Sequence, residues 1–191
     1  MSTRLFDTTL RDGTQREGVT LTTEDKIRIA RELDTLGVHY IEAGFPASNP
    51  KDLEFFEDFD DSELENAKLV AFTRARRPSG SADEDPAVTL LASLSAPVAC
   101  IVAKSWKMQV EKVLGTTPEE NLASIEDTVR YLAAAGKEVI FDAEHYFDGY
   151  KAEPEHALST LKAAAEAGAT TLVLCDTNGG TLPTLSGSTC S

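Results

Sequence analysis

No apolar run in this chain is long enough to cross a bilayer, and the N-terminus has neither a basic n-region nor an apolar h-region. Those absences give a cytoplasmic location as the expectation. Cysteine is scarce: Cys100, Cys175 and Cys190 form an odd set without metal-ligand spacing. Cys100 and Cys175 each lie in an apolar run, where a free thiol in a reducing compartment is a small core residue rather than a ligand or nucleophile. Histidine is equally sparse. His39 begins a strand-like run at the rim away from any strand end, His156 falls on a helix and is expected to be exposed, and His145 reads as a loop or supporting residue. No two histidines pair for a metal. Basic residues are outnumbered, 18 against 32 acidic, and the net charge of −14 argues against nucleic acid or an anionic membrane as the main partner.

What is present suits a globular chain of 191 residues with enough apolar material for one sizeable core. The acid concentrates at 52–65 and 83–85, which read as a solvated helix face and a polar turn. One basic cluster, Arg74-Ala75-Arg76-Arg77, follows a strand-like run and precedes Pro78. Two readings stay open for it: a clamp for a carboxylate or phosphate, for instance on a coenzyme tail, or a surface loop balancing the acidic helices.

Apolar strand-like runs alternate with helix-period runs. Strands are predicted over 5–10, 38–43, 68–72, 97–103, 138–144 and 170–175, and in the first of these Leu5, Phe6 and Leu10 are assigned to the core. Helices are predicted over 26–36, 50–59, 86–94, 118–135 and 154–167, with Thr23-Glu24-Asp25 or a proline at their starts and Gly37, Gly136 and Gly168 as stops. A longer polar loop is expected after the fourth strand. Continuous apolar strands alternating with helices mean a parallel sheet with helices outside. A doubly wound sheet calls for a phosphate-type glycine fingerprint after the first strand, and Arg11-Asp12-Gly13-Thr14-Gln15 is not one. Polar residues at nearly every strand end favour a (β/α)₈ TIM barrel, whose strand ends face one site. A whole barrel typically needs ~250 residues. The expectation is therefore an α/β chain with an incomplete barrel of about six βα units over 1–183. The Ser/Thr/Gly-rich tail over 184–191 reads as irregular, the end of a truncated or frame-disturbed product.

Asp12 is the strongest single candidate for chemistry. One reading makes it a ligand for a divalent metal; the other has it pair with Arg11 or cap the turn at Gly13. Glu42 and Glu144 end the second and fifth strands, where a carboxylate is costly unless it is paired or used. A barrel would converge them with Asp12 and Asp176 on one mouth. Asp142 and Glu144 share a strand face. Lys104 closes the fourth strand, either as a neutralising cation or as a plain surface charge. The run Asp176-Thr177-Asn178-Gly179-Gly180 offers a hydroxyl and backbone N–H groups suited to a carboxylate, or is a simple glycine turn.

Three separated motifs carry a resemblance: Phe6-Asp7-Thr8-Thr9-Leu10-Arg11-Asp12-Gly13-Thr14-Gln15, Ile41-Glu42-Ala43-Gly44-Phe45-Pro46 and Asp176-Thr177-Asn178-Gly179-Gly180. Over residues 4–183 the chain resembles the isopropylmalate/homocitrate/citramalate synthase family of metal-dependent barrels, which also include hydroxymethylglutaryl-CoA lyase. The stretch Phe141-Asp142-Ala143-Glu144-His145-Tyr146-Phe147-Asp148-Gly149-Tyr150-Lys151 is most similar to the citramalate synthase branch. The resemblance implies an acyltransferase that joins acetyl-CoA to a 2-oxo acid, with pyruvate favoured over 2-oxoisovalerate, in isoleucine biosynthesis. It implies a divalent metal (Mg, Mn or Zn) on Asp12, Arg11 stabilising enolate or alkoxide charge, and Glu144 as an acid/base group. Thr177 would bind the oxo-acid carboxylate, with Gln15, Glu42 and Lys104 lining the mouth, and full-length members would be homodimers. The family's His-x-His metal pair is not found in this sequence.

Overall fold

Four of the helices are started by local chemistry that the sequence already carries. In the computed structural model, which describes residues 3–182, Thr22 and Asp25 form a reciprocal capping box at the start of α1 (Thr23–Thr35). Asn49, Asp85 and Thr117 cap α2 (Pro50–Asp58), α3 (Pro86–Ser93) and α5 (Pro118–Ala134), each followed by a proline in the first turn. Between α3 and α5 lies a short α4 (Lys107–Gln109) that runs into a π-helical stretch, Val110–Leu114. Two further helices, α6 (Tyr146–Ala152) and α7 (Pro154–Ala167), follow in direct succession. At the end of α1, Gly37 takes φ 79° and donates to Asp34 O, while Val38 N reaches back to Leu33 O; this stop turns the chain directly into the next strand.

The strands are β1 (Phe6–Asp7), β2 (Tyr40–Gly44), β3 (Lys68–Arg74), β4 (Val98–Lys104), β5 (Glu138–Glu144) and β6 (Thr171–Leu174). All pair in parallel, and the sheet order is the chain order, β1 to β6. Sequential order decides between the two architectures. Right-handed crossovers between successive neighbours put every helix on one face, so the other face is covered only by the sheet curling on itself. The structure is such a curled half-barrel, with two cores. Between sheet and helices lie Ile41, Leu69, Ala71, Ile101, Val139 and Phe141, packed against residues such as Phe55, Val88, Ile125 and Leu132. On the inner, concave face Tyr40, Val70, Phe72, Val98, Cys100 and Ile140 form the second cluster. The period-2 alternation of each strand divides these two sets. No helix among the described residues is long and apolar enough to cross a membrane.

Five expectations change. The first strand is two residues long, because the Asp7 carboxylate accepts the Thr9 N–H (2.9 Å) and hydroxyl (3.1 Å) and turns the chain there. Leu10 is fully buried beyond that turn, whereas Leu5 and Phe6 are 53% and 37% exposed on the outermost strand. The acidic runs are not wholly solvated. Asp52 is buried, bonded to the Lys26 ammonium and accepting the Phe45 N–H (2.9 Å), and Asp85 is buried beside Arg74. His156 is half-buried rather than exposed, with its Nε2 buried and without a hydrogen-bond partner among the described residues, and burial lowers its pKa. The polar loop after the fourth strand contains α4 and its π-helical extension. The expected tail over 184–191, with Cys190, lies outside the described residues.

α6 is seated against the end of β4 by a close backbone approach: a Cβ added at Gly149 would lie 2.4 Å from the Ser105 carbonyl oxygen. Gly149→Ala is expected to destabilise the chain by about 1–3 kcal/mol through forced separation of the two elements. Urea denaturation measures this, and an unchanged midpoint would contradict the packing described.

Candidate active site at the C-terminal rim

The C-terminal ends of the strands meet at one pole, and Arg11 stands at its centre. Its Nε donates to Glu42 Oε2 (2.6 Å), its Nη1 donates to Asp12 Oδ1 (2.9 Å), and its guanidinium carbon lies 4.3 Å from the centroid of the Phe72 ring. The turn after β1 delivers Arg11: the N–H groups of Arg11, Asp12 and Gly13 all donate to Thr8 O, at 3.2, 2.9 and 3.1 Å. Glu42 comes from the inward face of β2 and is 1% exposed. Burial raises its pKa, and Arg11 opposes that shift. A buried carboxylate bonded to a half-buried guanidinium fixes the loop after β1 onto the rim.

These groups line a cavity of about 480 Å³ on the concave face, together with Cys100, Asp142 and Cys175. The Cys175 thiol donates to Asp142 Oδ1. Burial pushes the Asp142 carboxyl up, and the negative charges of Glu144 and Asp12 add to the effect while Cys175 and Arg11 oppose it. Both Cys100 and Cys175 thiols are pushed up by burial and by the neighbouring carboxylates, so both stay protonated at neutral pH and neither is a nucleophile. Cys175 is not the core residue the sequence suggested; it stands half-buried in the cavity wall.

A second cavity of about 260 Å³ lies at the ends of β3 and β4, against the start of α5. Lys104 and Glu144 face it, adjacent in register and joined at 2.5 Å. Lys104 is therefore neither a free cation nor a plain surface charge. The basic run supplies most of the opposite wall. Arg74 is bidentate to Asp85 (2.9 and 3.3 Å), and Arg76, buried, bonds Glu120 (2.8 Å) and Asp127 (2.7 Å). These two guanidiniums tie the loop to α3 and α5, and Arg77 is the exposed one.

Asp12 and Glu144 thus share one pole but line different cavities. Gln15 is exposed on the turn Gly13–Gln15. Thr177 is exposed, and its Oγ1 accepts the His145 N–H (2.9 Å). Asp176 is occupied by its own turn, accepting the Thr181 N–H (2.8 Å) and hydroxyl (3.0 Å). His39 stands at the far rim as expected, where its Nδ1 accepts the Leu5 N–H (3.1 Å). Asp142 and Cys175 are rim residues to which the sequence reading gave no role. The signal for Asp142 was its two-residue offset from Glu144; for Cys175, in an apolar run, there was none.

The donor set does not fit a resident metal ion. Asp12 offers one carboxylate, 64% exposed and already used by Arg11, and among the described residues no three His, Cys, Asp or Glu side chains assemble to hold a cation.

The raised Asp142 carboxyl has a stability consequence. The native chain holds that proton more tightly than the unfolded chain does. Stability from this group is therefore full below the ordinary carboxylate range, near pH ~4, and is lost as pH rises through the raised native value. Asp142→Asn keeps an acceptor for Cys175 but has no proton to lose. Its stability relative to the parent is expected to climb as pH rises from below the carboxylate range to neutrality. Denaturant melts across that range measure it; a difference independent of pH would contradict the assignment.

Comparison with known proteins places this rim in a family. The chain is 55% identical over 179 residues to the (R)-citramalate synthase of Aquifex aeolicus, covering 94% of this chain and 34% of that protein. It is 34% identical over 175 residues to the 2-isopropylmalate synthase of Shouchella clausii, covering 92% of this chain and 32% of that one. It spans about a third of the length of the curated relatives it matches. Among solved structures, the HMG-CoA lyase of Bacillus subtilis superimposes with a TM-score of 0.78 at 19% identity, over 97% of this chain and 62% of the lyase, a likeness of fold. A family model described as HMGL-like matches residues 2–189, and the chain belongs to the HMGL-like family.

Proposed function

We propose that this chain carries part of the catalytic rim of a citramalate synthase-like acyltransferase, which joins the acetyl group of acetyl-CoA to pyruvate. The observation that carries the reading is the gap between 55% identity to a citramalate synthase and 34% to an isopropylmalate synthase over nearly the same residues. Arg11, held by Glu42 and Asp12 against Phe72, presents a fixed positive charge at the cavity mouth, where the enolate or alkoxide oxygen develops charge. On this reading Glu144, paired with Lys104, takes a proton from the acetyl methyl group; the resulting carbon nucleophile attacks the ketone carbon, and the same carboxyl returns the proton to the alkoxide. Water cleaves the thioester, giving the dicarboxylic acid and the free coenzyme thiol. Thr177 supplies a hydroxyl for the oxo-acid carboxylate. The apolar cavity beside Arg77 and Lys104 suits the thioester arm.

A second reading is favoured by one observation: among the described residues no three His, Cys, Asp or Glu side chains gather to hold a cation, where the resemblance implies a metal held by several ligands. On that reading the chain by itself binds substrate without turning it over. Ligand-observed NMR on the purified chain is expected to show pyruvate binding in preference to 2-oxoisovalerate, weakened by Thr177→Val. Thiol release from acetyl-CoA and saturable Mn²⁺ binding are expected to be absent. Loss of any preference for pyruvate would contradict the leading reading, and thiol release would contradict the second.

A further inference from the structure

α6, like α4, has no counterpart in the predicted strand–helix rhythm, and it packs where two rim loops meet. His145, immediately after Glu144, takes a left-handed conformation (φ 57°, ψ 30°), which a non-glycine residue adopts at a cost of order 1 kcal/mol. That turn starts α6 within one residue of the strand and aims the His145 N–H at Thr177 Oγ1 (2.9 Å). The imidazole lies 5.9 Å from the Trp106 ring, and its Nδ1 is 3.1 Å from Asp148 Oδ2. The same Asp148 oxygen accepts from Asn178 Nδ2 (2.8 Å). One turn further on, Lys151 Nζ donates to Thr181 Oγ1 (3.0 Å).

The loop these groups hold has little else to hold it. Residues 177–180 are exposed, so polar contacts rather than apolar burial set their position. Within the loop Asp176 accepts from Thr181, but every bond to another element given above starts from α6 or its cap. The direction of the bond to Thr177 also matters. A hydroxyl that accepts a backbone N–H has its own hydrogen left to donate elsewhere. The arrangement therefore pre-sets Thr177 as a donor, the polarity a carboxylate requires.

We infer that Asp148 is a positioning residue: bridging His145 and Asn178, it clamps the loop after β6 to the end of β5 and holds the Thr177 hydroxyl in its donating orientation. This rests on the proposed role of Thr177 in binding the oxo-acid carboxylate. Asp148 touches no substrate on this account and acts through the loop.

Hydrogen–deuterium exchange on the whole chain, combined with pyruvate binding by ligand-observed NMR, tests the inference. Asp148→Ala removes both bonds. Asp148→Asn keeps an acceptor oxygen for them and should rescue. Asn178→Ala breaks the clamp from the loop side, leaving α6 intact should Asp148→Ala fail to fold. Exchange at 176–181 is expected to rise at least about tenfold in Asp148→Ala and Asn178→Ala, with β5 and α7 unchanged and Asp148→Asn near the parent. Pyruvate affinity is expected to fall about tenfold in the same two variants. Unchanged exchange in the loop, or a rise spread evenly over the chain, would overturn the clamp. A selective rise in exchange with pyruvate affinity unchanged would overturn the positioning role. If the parent chain binds no pyruvate, the oxo-acid reading fails, and the exchange data alone then decide whether the clamp exists.

Discussion

Every feature of the rim depends on one constraint: six parallel strands pair in the order in which they occur in the chain. Each crossover then adds its helix to the same outer face, and each strand delivers its last residues to the same pole. Groups far apart in sequence become neighbours without any dedicated loop to bring them together. Arg11 and Glu42 are 31 residues apart, and Lys104 and Glu144 are 40 apart, yet each pair is in contact at 2.6 Å or less. The alternation within each strand does the remaining sorting, sending Ile41, Ile101 and Phe141 to the helices and Glu42, Cys100 and Asp142 to the concave face.

Electrostatics at this rim is dominated by acid. Arg11 faces Glu42, Asp12 and Asp142, and buried Glu42 and half-buried Asp142 are both pushed toward their protonated forms. The basic run after β3 does not redress the balance, because Arg74 and Arg76 are spent on Asp85, Glu120 and Asp127. Those pairs are better understood as fasteners between the sheet and its helices. Burial of Asp85 beside Arg74 and of Asp52 beside Lys26 follows the same rule: each carboxylate has a cationic partner and an N–H donor in place.

Much of this was legible from the residues. Continuous apolar runs gave five of the strands closely, and Asn49-Pro50, Pro86 and Pro118 marked helix starts that the structure keeps. Glu42 and Glu144 stood out as carboxylates closing apolar strands. What escaped reading depended on contacts between distant segments. Asp85 looks like part of a polar turn until Arg74 is seen against it. α6 begins on a histidine with no side-chain cap and contains Gly149, so propensity and capping both argued against a helix there. The short first strand was hidden because Asp7 reads as a strand residue when its bond to Thr9 is not known.

The most direct test of the central claim is a double-mutant cycle between Arg11 and Glu42, using Arg11→Ala, Glu42→Gln and the pair, with stability read from urea melts at neutral pH. The account predicts a coupling of about 1–3 kcal/mol, because the loop after β1 is pinned to the inner face of β2 by that one buried bond. Additive effects of the two substitutions, with no coupling, would mean that the two groups do not meet and that the strand ends do not converge on one pole.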